Sequence, residues 1–494
     1  MILLRVCLGL SVIGSLAGCP PPGCDFFSDK ECPIETDGGS TTPPVITDVP
    51  TRVLVGAEGF EVVGTGLAGT NASATITVAG SSQIKATVTK LTNTTVRITP
   101  TLSMTQPGGS ATIVISTTLG ESTPMNITLV RPELKSGAST SAGTLSKPQW
   151  LSFGSKGGMT FLYSFDRTLD GVLGVPYDIQ ASTFGTAIRL SNMAGLVLNQ
   201  PAKIDDDADT DFVTVDTMQP QQLGSCRAAM SYGAQIGPYA QPWGMDAISA
   251  MAAGSYKTNQ TLIAASSATK KLFTCLVTQA NPPTIRVCRE EPGFATDARS
   301  LWVASLGAVG ADILVQDTAG KLQLWRANGS DVFSNASSAL GTATSGGAVA
   351  VATADVDGMT GTDIVALDTK GVTVLVNNGQ GTQFTASVTP ISAMKTARAV
   401  MVGDVDGDAK PDIVMTEAGT GKLYVLLNEM NNAAQERRWL GPAPLVDAAG
   451  MPVTIGADDV VMFDDNASKK RRIIATDVAT ANKKFVVWQN SFTP

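Results

Sequence analysis

No histidine occurs anywhere in the 494 residues. That removes every Ser-His-Asp and Cys-His arrangement for nucleophilic catalysis, and it deprives a zinc site of its usual nitrogen ligand. Aromatic residues are scarce, with six Trp and six Tyr. Charge is sparse as well: 35 basic against 43 acidic side chains give a net charge of −8. An acidic chain lacks the basic face that phosphate neutralisation needs, so a nucleic-acid partner is disfavoured. Its one basic run, Lys469-Lys470-Arg471-Arg472, is short. Long apolar runs are missing too; the stretch from Val6 to Leu16 is too short to span a bilayer comfortably.

What is present begins with an export signal. Arg5 supplies a minimal positive region, Val6 to Leu16 the apolar core, and Leu16-Ala17-Gly18-Cys19 follows. Leu-Ala-Gly-Cys resembles the lipobox of bacterial lipoproteins. The resemblance implies a signal peptide over 1–18, a lipid on Cys19 and a location in the cell envelope. Pro20 after that cysteine implies the outer membrane, facing the periplasm or the outside, if the cell is Gram-negative. Residues 19–42 form a Pro-, Gly-, Asp- and Thr-rich tether that cannot bury enough surface to fold alone. Outside the cytoplasm disulfides are permitted. Cys24 with Cys32 would close a small loop, and Cys275 pairs with either Cys288 or Cys226.

Residues 43–131 read as a β-sandwich. Short runs rich in Thr, Val and Ile, such as Ala74 to Val78, Lys85 to Thr89 and Ala111 to Ser116, alternate with Gly, Asn and Pro. The opening Pro44-Val45-Ile46-Thr47-Asp48-Val49-Pro50, with Gly56 and Val63-Gly64-Thr65-Gly66-Leu67, resembles the IPT/TIG immunoglobulin-like fold. Residues 132–147 read as a linker.

The remainder, 148–494, is organised around Asp404-Val405-Asp406-Gly407-Asp408-Ala409-Lys410-Pro411-Asp412. Carboxylates at turn positions 1, 3, 5 and 9 can wrap one hard cation such as Ca²⁺, which takes six to eight oxygens. The side chains of Asp404, Asp406, Asp408 and Asp412 and the Lys410 carbonyl are the expected ligands. Gly407 allows the bend. Related turns place Asp355, Asp357 and Asp363, and Asp205, Asp207, Asp209 and Asp211, in similar register. A metal-free relative runs from Ala304 through Gly307 to Asp312.

Ninth positions fall at 160, 211, 261, 312, 363, 412 and 472, spaced 51, 50, 51, 51, 49 and 60 residues apart. A period near fifty, with several short strands in each unit, is the mark of propeller blades. The last turn carries Asp464 at position 1 and Arg472 at position 9, either placed to form an ion pair instead of binding metal or lying at an exposed hairpin tip. Only 22 residues follow Arg472, too few for a complete last blade. Residues just before Trp150 are therefore expected to complete it.

These units resemble FG-GAP/VCBS repeats, the blades of integrin alpha-chain propellers. Asp404 to Val414 matches the calcium motif of that family, and Asn377-Asn378-Gly379-Gln380-Gly381-Thr382-Gln383-Phe384 resembles the turn that follows it. The expected fold is thus all-β, an Ig-like sandwich followed by a seven-bladed propeller. The resemblance places the calcium turns on the face opposite ligand binding. On that other face, the stretch Ala228 to Asp246 concentrates Tyr232, Tyr239 and Trp243, aromatic anchors suited to recognition or to packing between blades. The acidic clusters are accounted for as calcium ligands, so the expected function is binding or adhesion toward a protein or glycan, not catalysis. An envelope-assembly scaffold and a glycan- or lipid-acting enzyme are the alternatives.

Overall fold

The computed structural model describes residues 42–492, less 81–82, 140–147, 167–170, 190–195, 203–208, 217–223, 227–234, 237–246, 257–258, 279–283, 286–287, 308–309, 329–331, 342–346, 360, 369–370, 391–396, 432–435, 456–460, 465–471 and 477–484. Cys19, Cys24, Cys32, Asp205, Asp207, Tyr232, Tyr239 and Trp243 lie outside the described residues. Among those described, regular structure is β apart from the 3-10 turn Ser337–Leu340, and no helix is long and apolar enough to cross a membrane.

The N-terminal unit pairs its strands along one continuous path. It runs from Val45–Asp48 through Phe60–Thr65, Thr95–Pro100, Gln83–Lys90, Ser73–Val78, Gly109–Thr117 and Met125–Val130 to Arg52–Leu54. The last pairing, Arg52–Leu54 on Met125–Val130, is parallel. Period-two burial turns Val62, Ile76, Ile98, Ile113 and Leu129 into a single core, as alternating β-branched sequences require.

Six sheets then follow along the chain, each made of consecutive antiparallel strands, in a β-propeller arrangement. Their second strands begin at Met159, Asp211, Asn259, Gly310, Asp363 and Asp412, within two residues of the ninth positions. The fifth blade shows the build: Ala350–Ala354, Asp363–Leu367, Gly371–Asn377 and Phe384–Pro390. Asp363–Leu367 and Asp412–Glu417 are buried at every residue. Strands covered on both faces read as continuous apolar runs because each blade packs against its neighbours. In the third blade Cys275 and Cys288 form a disulfide, which resolves the alternative with Cys226.

The count of blades built from consecutive strands is six, where seven were expected. From Arg472 onward the strands among the described residues are Arg472–Thr476 and Phe485–Asn490, and the sheet they form with Val461–Asp464 is completed from elsewhere. Its fourth strand is Leu134–Ser139, antiparallel to Phe485–Asn490 with Ser136 opposite Trp488. The expected linker 132–147 is thus partly sheet. The free edge of Phe485–Asn490 needs a partner, and the chain leaving the N-terminal unit supplies it. Leu134 is 1% exposed and joins Leu54, Val130, Val425, Leu440 and Trp488 in one apolar cluster, so the two units share a core.

A linker residue tolerates truncation, whereas a buried leucine does not. Leu134→Ala should lower stability by about 2–5 kcal/mol in a urea titration. A change under about 0.5 kcal/mol would show that this strand is not part of the packed structure.

Candidate metal centre

Among the described residues, the fifth and sixth blades carry two acidic clusters, each in the turn joining first strand to second; Met359 stands at position 5 of the fifth-blade turn. Asp355, Asp357 and Asp363 bring carboxylate oxygens within 4.8 Å of one another, as do Asp404, Asp406 and Asp408. Glycine at position 4 makes this possible, with φ of 65° at Gly358 and 103° at Gly407. Ala409 also adopts positive φ, 69°, and its amide donates to Asp404 Oδ2 at 2.7 Å. Asp404 Oδ1 accepts the Gly407 amide at 2.7 Å, and Asp355 Oδ1 accepts that of Gly358 at 2.7 Å.

The ninth-position aspartates play a part the sequence reading missed. Both oxygens of Asp412 are taken by backbone amides: Val405 at 2.8 Å on Oδ2 and Asn428 at 2.9 Å on Oδ1. Asp363 does the same with Val356 at 2.8 Å and Asn377 at 2.7 Å. Each carboxylate therefore ties its turn to the end of the third strand. Burial pushes the Asp412 carboxyl well above the usual range, and nearby Asp406 adds to the shift; the amides of Asn428 and Val405 oppose it. Asp363 is raised for the same first reason. Asp412 stands apart from the cluster of Asp404, Asp406 and Asp408.

The asparagines continue the chain of bonds into the preceding blade. Asn377 Nδ2 donates to the Leu306 carbonyl at 2.7 Å and to Thr362 at 3.0 Å. Asn428 Nδ2 donates to Val356 at 2.8 Å and Pro411 at 3.1 Å. Asn490 donates to the Val405 carbonyl. Asn377 was read from the sequence only as part of a Gly-rich turn, and Asn428 not at all. Their common distance downstream of the ninth position, 14 and 16 residues, is the signal that could have found them.

Asp357 supplies the test of whether a cation fits. Its Oδ1 accepts the Met359 amide at 2.8 Å, while Oδ2 is buried and has no hydrogen-bond partner among the described residues. The residue is 8% exposed. A buried carboxylate oxygen without a donor is costly, and a bound cation beside Asp355 and Asp363 would satisfy it. Asp355, Asp357 and Asp363 therefore fit a hard divalent ion, which would hold the turn by charge alone and bring no redox chemistry.

Other turns are arranged differently. Asp211 is fully buried, and Asp209 Oδ1 accepts the Gly157 amide of the preceding blade at 2.7 Å. In the metal-free fourth blade Arg326 Nε lies 3.4 Å from Asp312 Oδ1; burial raises the Asp312 carboxyl and the Arg326 charge opposes that rise. The Arg326 Nη2 also donates to the Gly381 carbonyl of the next blade at 2.6 Å. Arg472 is fully buried and donates to the Tyr177 hydroxyl at 2.9 Å; the Asp464 side chain lies outside the described residues. In the Asp404–Asp412 turn, Lys410 Nζ is 3.3 Å from Asp408.

With this geometry in hand, comparison with known proteins gives one family match: residues 361–415 match an FG-GAP-like repeat. That segment runs from the second strand of the fifth blade to the start of the second strand of the sixth, and includes the acidic turn Asp404–Asp412. A search of curated proteins finds no match. Among solved structures, an Agrocybe aegerita lectin recognising non-reducing terminal N-acetylglucosamine is similar at 15% identity, covering 79% of this chain and 94% of the lectin, with a TM-score of 0.40. An auxiliary nutrient binding protein from Bacteroides thetaiotaomicron is similar at 7% identity, covering 91% and 98%, with a TM-score of 0.38. Nothing about this chain's function follows from likenesses of that size.

Two predictions separate metal from scaffold. Millimolar calcium should raise the melting temperature by several degrees over chelator, and Asp357→Asn should abolish that rise. Asn428→Ala removes the donor to the Val356 and Pro411 carbonyls and should cost about 1–3 kcal/mol by denaturant titration, equally in calcium and in chelator. A cost that appears only in calcium would place Asn428 in the metal site instead.

Proposed function

We propose that this chain is a lipid-anchored envelope protein whose calcium-braced propeller binds a protein or glycan ligand. The observation that carries the reading is the placement of the acidic turns. In four-stranded antiparallel blades they lie between first and second strands, so all sit at one edge of the sheets. There they bond to backbone amides and to neighbouring blades. Carboxylates so used brace the scaffold and are not poised as an acid/base pair. The turns between second and third strands, on the opposite face, remain for recognition.

On this reading Cys19 carries the lipid and residues 20–42 hold the folded part away from the membrane. The N-terminal unit is an IPT/TIG-like sandwich acting as a stalk. The composite sheet of Leu134–Ser139 and the last three strands is the seventh blade, closing the ring. Tyr239 and Trp243, between the fourth strand of the second blade and the third blade, belong to the ligand face; Tyr232 falls between the third and fourth strands, Gly224–Cys226 and Gln235–Ile236, at the edge of the acidic turns.

A deletion strain should lose adhesion to its substratum. Wild-type chain should restore it, whereas a chain with Tyr239→Ala and Trp243→Ala should not, although exported and folded. Normal adhesion with defective outer-membrane assembly would establish the scaffold alternative, and turnover of a glycan or phospholipid by the purified chain would overturn the binding reading.

A further inference from the structure

The two acidic turns differ at position 3. In each, Oδ1 of the aspartate accepts the amide two residues on: Met359 for Asp357 at 2.8 Å, Asp408 for Asp406 at 3.1 Å. Oδ2 of Asp357 is buried without a hydrogen-bond partner. The corresponding Oδ2 of Asp406 is held by the guanidinium of Arg52, from a strand 354 residues earlier in the N-terminal unit. Arg52 Nη2 also reaches Asp408 Oδ2 at 3.1 Å, and its Nε lies 3.7 Å from Glu429 Oε1. The Thr51 hydroxyl donates to that same Glu429 oxygen.

We propose that Arg52 is the built-in cation of the Asp404–Asp412 turn, so that calcium enters this turn only when Arg52 is withdrawn. A guanidinium and a calcium ion both require the outward oxygens of Asp406 and Asp408, and two cations on the same oxygens repel. The planar fork suits Arg52 to bridge two carboxylates, which a point charge does less well. Position 3 is well shielded, with the Asp406 side chain 3% exposed, while Arg52 itself is 23% exposed. The fourth blade provides an internal parallel, since Arg326 there stands beside Asp312 in a turn with no other carboxylate.

The turn whose sequence best fits a calcium site is therefore a docking site for the N-terminal unit. Of these two turns, calcium is confined to the Asp355–Asp363 turn. Arg52 and the apolar cluster around Leu54, Val130 and Leu440 hold the two units together. This inference builds on the calcium reading above but is tested separately from it.

Isothermal titration with calcium alone, on the chain from residue 20 onward, distinguishes the cases. Wild type should bind an ion that Asp357→Asn removes and none that Asp406→Asn removes. Arg52→Met should bind one ion more, titrating at about 0.1–1 mM, as in extracellular modules. The double variant Arg52→Met with Asp357→Asn should keep that added ion, and adding Asp406→Asn should remove it. Arg52→Gln serves if the methionine variant does not fold. An ion in wild type that Asp406→Asn removes, or calcium binding unchanged or weakened by loss of Arg52, would overturn the proposal; weakening would make Arg52 a brace for a metal-bound turn. If wild type binds none and Arg52→Met binds one that requires Asp406, the proposal stands and the calcium reading of Asp355–Asp363 fails.

Discussion

Much of this propeller depends on a buried carboxylate near the start of the second strand in four blades, Asp211, Asp312, Asp363 and Asp412. Asp363 and Asp412 are fully buried, and each accepts one amide from its own turn and one from the end of the third strand. Burying such a charge is expensive unless it is well hydrogen-bonded and balanced by a positive charge. The amides meet the first need and fix the path of three chain segments at once. The asparagines beside them, Asn377 and Asn428, extend the same network onto carbonyls of the preceding blade. The acidic turns thereby fix the architecture of these blades.

The second need, positive charge, is met differently from blade to blade. Asp355, Asp357 and Asp363 leave one oxygen unsatisfied, a place for a divalent cation. Asp406 and Asp408 receive Arg52 from another part of the chain. Asp312 has Arg326 from its own blade. At the last turn the aspartate itself is replaced by Arg472, buried and bonded to Tyr177. Repeats of one pattern can diverge in this way because the constraint is local charge balance, which either an ion or an arginine satisfies.

The period was legible because every second strand begins near a turn of fixed geometry, and fully buried strands leave continuous apolar runs such as Asp363–Leu367. Boundaries between units were less so. The strand Leu134–Ser139, Leu-Lys-Ser-Gly-Ala-Ser, is polar enough to read as linker, and only the missing partner of Phe485–Asn490 hinted at its role. In the site, the pattern of Asp residues located the turns but not their cations. Arg52 lies in an unremarkable Thr-Arg-Val-Leu stretch of a different unit, and no local spacing links it to Asp406. Long-range pairing of that kind is invisible to periodicity. The amide-binding role of Asp412 was hidden for a related reason, since a carboxylate at a ligand position looks the same in sequence whether it faces metal or backbone.

The shared core of Leu54, Val130 and Leu134 with Val425 and Leu440 makes the N-terminal unit part of the propeller's own packing. Charge balance at the acidic turns and docking of that unit are thus one problem. The most direct test is an anomalous difference map from crystals grown with a lanthanide in place of calcium. The account predicts a peak among Asp355, Asp357 and Asp363 and none among Asp404, Asp406 and Asp408, with Arg52 still on Asp406. A peak at Asp404, Asp406 and Asp408 with Arg52 displaced, or none at Asp357, would contradict it.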